Sequence, residues 1–142
     1  MKNENTLSNL MKSQITLEKN IAEKLRTLEQ RVDSIAARLL IREMQLDTEK
    51  HAAILEEALK AVGAPKSFWD YTINIDADKK AVKKELQEHI NAEEKMLKGL
   101  RAEERKTDDE ALKLLLKHFA EDEEKHHSAL KTILSKTFKT RL

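Results

Sequence analysis

The sequence predicts an all-α fold, a four-helix bundle running up-down-down-up. Three observations carry that expectation. Helix breakers are nearly absent, with two Gly and one Pro in 142 residues. Apolar residues recur every three or four positions in four blocks, which is the period of an amphipathic helix. The second half of the chain also repeats the first, without a gap, at a shift of 75 residues. At this length one domain spanning 1–142 is expected.

The first block runs from about Thr6 to Arg31 and carries Leu7, Leu10, Met11, Ile15, Leu17, Ile21, Leu25 and Leu28. A break at "RVDS" follows, where Asp33 is placed to cap the next helix. The second block, with Ile35, Leu39, Leu40, Met44, Leu46, Ile54, Leu55 and Leu59, continues to about Val62. It stops at "GAP", a Gly with Pro just beyond it. Residues 63–77, "GAPKSFWDYTINIDA", hold the only Pro, Trp and Tyr and read as a connection. About 15 extended residues at roughly 3.3 Å each can run the length of a helix. A long crossover of that kind lets the third helix run parallel to the second. Trp69 and Tyr71 within it are expected to clamp the helices.

The third block runs from about Asp78 to Arg105, with Val82, Leu86, Ile90, Met96, Leu97 and Leu100. The fourth opens at "TDDE", where Thr107 and Glu110 fit a capping box. It continues to about Phe138 through Leu112, Leu115, Leu116, Phe119, Leu130, Ile133 and Leu134. The expected architecture is therefore two helical hairpins, about 6–62 and 78–138, joined by one long crossover.

Composition excludes several function classes. Lys and Arg total 27 against 26 Asp and Glu, and the signs are interspersed. A nucleic-acid footprint would need a basic patch or stripe, and aromatics at 4% are too few for base stacking. No nucleic-acid partner is expected. No run approaches the roughly 20 apolar residues of a membrane span, and "MKNENTLSNLMKSQ" has no uninterrupted apolar core of a signal peptide. A cytoplasmic protein with no membrane partner is expected. The absence of Cys excludes a disulfide framework, a zinc ribbon and an iron–sulfur cluster.

The repeat points to the chemistry. Residues 15–60 lie over residues 90–135 with fifteen of 46 positions identical, among them Glu18/Glu93, Arg26/Arg101, Asp47/Asp122 and His51/His126. Such self-similarity reads as a duplicated hairpin. Glu18 and Glu93 sit within apolar stripes, and so do His51 and His126. Glu123 precedes His126 by three residues, one turn away on the same face. An ionised carboxylate in an apolar setting is costly unless paired or bound to metal. Two Glu and two His, one from each helix, with Glu123 added, form a carboxylate–imidazole set that suits iron or manganese. His89, one turn before Glu93, takes the slot filled by Gln14 in the first half. It reads as a supporting partner or an extra ligand. His118 and His127 read as surface residues.

Taken with Glu18, "DTEKHAAIL", "INAEEKML" and "AEDEEKHHSAL", the chain resembles the ferritin-like superfamily, and most closely rubrerythrin-type domains. The resemblance spans nearly the whole chain. It implies a ferritin-like up-down-down-up bundle holding two irons that react with peroxide or oxygen. Glu18 and Glu93 would then be terminal or bridging ligands, His51 and His126 would each cap one metal, and Glu123 would bridge. It also implies a homodimer.

Three departures stand out. Thr48 occupies the position matching Glu123, with Asp47, four residues before His51, as a partial substitute. Met96 stands where such domains carry a further carboxylate. The Cys-rich rubredoxin domain is lacking, so an enzyme would need an external electron donor. Two functions are thus expected as alternatives. One is a di-iron or manganese oxidoreductase acting on peroxide or oxygen. The other is a degenerate bundle with one metal or none, serving a structural, interaction or stress-associated role.

Overall fold

The computed structural model is all-α, with α1 Lys2–Arg31, α2 Ile35–Ala61, α3 Lys79–Lys106 and α4 Glu110–Phe138. It describes residues 2–63, 69 and 78–138. The expected crossover, with Tyr71, lies outside these residues except for Gly63 and an exposed Trp69. The chain divides into two compact units, Met1–Tyr71 and Thr72–Leu142. In the first, α1 packs on α2; in the second, α3 packs on α4. The two expected helical hairpins are present, and their boundaries repeat as the residues do. α1 and α3 end 75 residues apart, and α2 and α4 begin 75 residues apart.

The helix starts correct the sequence reading in detail. Ser34, not Asp33, caps α2, its Oγ accepting from the Ala37 amide at 3.3 Å. Asp109, not Thr107, takes that part at α4, accepting from the Leu112 amide at 2.9 Å. The two positions are equivalent in the repeat. Thr107 instead accepts from the Asp109 amide at 3.2 Å within the turn. Glu110 is the first residue of α4, so it cannot fill the third helical position a capping box requires. α3 is capped by Asp78, which accepts from Lys80 and Ala81 amides at 3.0 and 3.3 Å. Asp78→Ala is expected to cost about 1 kcal/mol, read as a lower urea midpoint by circular dichroism, with Asp78→Asn near the parent value. α2 ends as expected, with Gly63 at φ 87°, the left-handed conformation that Gly adopts without a Cβ penalty.

Each hairpin has a narrow buried face. In the first, Ile15 and Ala22 of α1 and Ile41, Gln45, Thr48 and Ala52 of α2 are buried. The α2 residues alternate four and three apart, which puts them on one helix face. In the second, Ala120 and Leu134 of α4 are buried, and the half-buried His127 stands midway between them. The stripes that carry His51 and His126 are different. Met44, Ile54, Phe119 and Ile133 are all exposed.

The ion pair across each hairpin repeats as well. Arg26 bonds Glu49 across the first hairpin and Glu23 on its own helix. Arg101 bonds Glu124 at 2.9 Å across the second and Glu104 at 3.4 Å on its own helix. The Glu124 hydrogen bond raises the Arg101 guanidinium above its ordinary value, partly opposed by desolvation. These solvated pairs add little stability.

Candidate metal centre

The second hairpin brings Glu93 of α3 together with Glu123 and His126 of α4. Each offers one ligand atom, and these atoms lie within 4.8 Å of one another. The spacing of Glu123 and His126 puts them one turn apart on α4, with Glu123 Oε1 3.7 Å from His126 Nδ1. The Glu123 side chain is only 15% exposed, while His126 is half exposed. A half-buried carboxylate thus faces an imidazole that solvent reaches.

The bonding of these carboxylates is incomplete. Glu93 Oε2 and Glu123 Oε2 are both buried without a hydrogen-bond partner. An unsatisfied buried acceptor costs about 1–3 kcal/mol, and more if charged. Two such oxygens beside an imidazole nitrogen form a set of lone pairs with too few donors. A cation answers that deficit with one atom.

The first hairpin has the same backbone register and a different outcome. Glu18 Oε2 lies 3.7 Å from His51 Nδ1, so the carboxylate–imidazole pairing recurs between α1 and α2. Glu18 Oε1, however, accepts from Gln14 Nε2 at 3.0 Å. Thr48, in the place of Glu123, is buried and donates to the Met44 carbonyl at 2.7 Å. Asp47, expected as a partial substitute, pairs with Lys50 at 3.0 Å. Among the described residues, Glu18 belongs to no group of three potential ligands. Its amide partner closes the carboxylate that stays open at Glu93.

His51 and His126 lie on exposed faces of their hairpins. The sequence reading misplaces one histidine. His127, read as surface, is half-buried, and its Nε2 is buried without a partner. Its signal was in the spacing, because Ala120, His127 and Leu134 follow one another at intervals of seven. Its repeat equivalent, Ala52, is buried too. His118 and His89 are exposed.

Compared with protein families, curated proteins and solved structures, the chain matches none. Among the described residues, no helix is long and apolar enough to cross a membrane.

Proposed function

We propose that the chain is a metal-binding helical protein whose second hairpin holds one divalent transition-metal ion through Glu93, Glu123 and His126. The observation that carries this reading is the pair of buried, unpartnered oxygens on Glu93 and Glu123 beside His126. The donor chemistry fits iron, manganese or zinc, because imidazole with carboxylate suits these ions better than an all-oxygen set does. Glu93 fixes the ion to α3, while Glu123 and His126 fix it to α4, so binding ties the two helices together. The exposed side of His126 leaves that edge of the site open to a small reactant. A bound ion supplies Lewis acidity there, and iron or manganese adds redox chemistry.

A second reading keeps the ferritin-like, rubrerythrin-type expectation of two metals and an oxidoreductase acting on peroxide or oxygen, supplied by an external electron donor. The repeated carboxylate–imidazole approach at Glu18 and His51 favours it. The donors of the first hairpin fit a second metal poorly, since Thr48 offers no carboxylate and Gln14 and Lys50 engage Glu18 and Asp47.

The two readings separate by metal content after anaerobic loading with Fe(II), and separately with Mn(II), followed by peroxide turnover. One ion per chain supports the single-metal site. Two ions with turnover support the oxidoreductase. No metal above trace defeats both.

A further inference from the structure

We propose that His89 is a fourth protein ligand to the ion at Glu93, Glu123 and His126, an inference that rests on the single-metal reading. It follows from comparing the two hairpins. Position 14 and position 89 are equivalent in the repeat. In the first hairpin the side chain there, although exposed, reaches the carboxylate one turn on, Gln14 Nε2 to Glu18 Oε1 at 3.0 Å. The same helix register puts His89 one turn before Glu93. Its ring lies outside the group of Glu93, Glu123 and His126, and a turn of its exposed side chain toward Glu93 is what ligation requires. Residues four apart on one helix face are neighbours, and this spacing lets two side chains grip one metal ion.

The chemistry of the exchange points the same way. A Gln amide brings two N–H groups and closes a carboxylate by hydrogen bonding. A neutral imidazole brings a lone pair, the group a metal needs. Glu93 Oε2 remains buried and unpartnered, while His89 is exposed. Replacing Gln by His thus turns a carboxylate closed by an amide into one half of a two-residue grip. With His89 the donor set becomes two carboxylates and two imidazoles, which selects Zn²⁺, Mn²⁺ or Fe²⁺ over Mg²⁺ and Ca²⁺.

The test is Zn²⁺ titration calorimetry on the full chain and on His89→Gln, His118→Gln and Glu123→Gln, with helicity checked by circular dichroism. His89→Gln restores the residue of the equivalent position and should leave the fold intact. It is expected to weaken Zn²⁺ binding by at least about tenfold, the lower end of the loss seen when metal-supporting groups are removed. His118→Gln, an exposed control, should bind as the parent does, and excess Mg²⁺ should not compete. Parent-like affinity in His89→Gln with binding lost in Glu123→Gln would remove His89 and leave the metal site standing. No saturable binding by the parent, or parent-like binding by Glu123→Gln, would overturn the metal reading and this inference with it.

Discussion

Glu93→Met is expected to make the metal-free protein more stable and to abolish its divalent-metal binding. In the parent, Glu93 Oε2 is buried with no hydrogen-bond partner. Methionine keeps the helix propensity and much of the volume while removing the unsatisfied acceptor. The gain should be about 1–2 kcal/mol, the scale of one unsatisfied buried polar group. At this chain length that is a rise of roughly 2–4 °C in Tm per kcal/mol. Metal affinity should fall by about 100-fold or more. This opposition between stability and binding is the mark of a site kept for a ligand. A destabilised Glu93→Met, or one that binds metal as the parent does, would contradict the role given to Glu93. Thermal melts with and without Zn²⁺ read both quantities in one experiment.

The second large effect is at Thr48. Thr48→Glu should raise the metal content from one ion per chain to two. The new carboxylate would stand one turn before His51, beside Glu18, which already lies 3.7 Å from the His51 ring. Without metal the substitution should destabilise by about 1–3 kcal/mol. It puts a larger, charged group where Thr48 is buried and bonded to the Met44 carbonyl. Metal should reverse the loss, since a ligand at about 100 times its Kd stabilises the bound form by roughly 2.7 kcal/mol. A stoichiometry that stays at one would place the defect elsewhere, with the Gln14 hydrogen bond to Glu18 as the first suspect. Gln14→His combined with Thr48→Glu tests that directly.

The helices and their pairing could be read from the sequence because two signals agreed. The apolar period marked the elements, and the 75-residue repeat marked which belonged together. The caps were harder. "VDS" and "TDD" each offer neighbouring residues able to cap, and only backbone geometry selects Ser34 and Asp109. The approach of Glu18 to His51, and of Glu93 to Glu123 and His126, was legible for the same reason as the fold, since Glu18/Glu93 and His51/His126 are identical pairs in the repeat. Thr48 against Glu123 announced the asymmetry.

Burial was not legible to the same degree. A stripe through Phe119, His126 and Ile133 and one through Ala120, His127 and Leu134 differ by a single residue. The larger side chains drew attention to the first, while α4 buries the small Ala120 and Leu134 of the second. Nor does sequence reveal which carboxylate lacks a donor. That depends on whether the residue one turn before reaches the carboxylate, as Gln14 reaches Glu18, or leaves it unpartnered, as His89 leaves Glu93 Oε2.

The most direct measurement of the central claim is a Zn²⁺ titration followed through the imidazole nitrogen signals of the five histidines. One equivalent should shift His126, with His89 alongside it, and leave His51, His118 and His127 in place. Glu93→Met should remove the response. Zn²⁺ that moves no histidine signal, or moves all five together without saturating, would contradict a built metal site in the second hairpin.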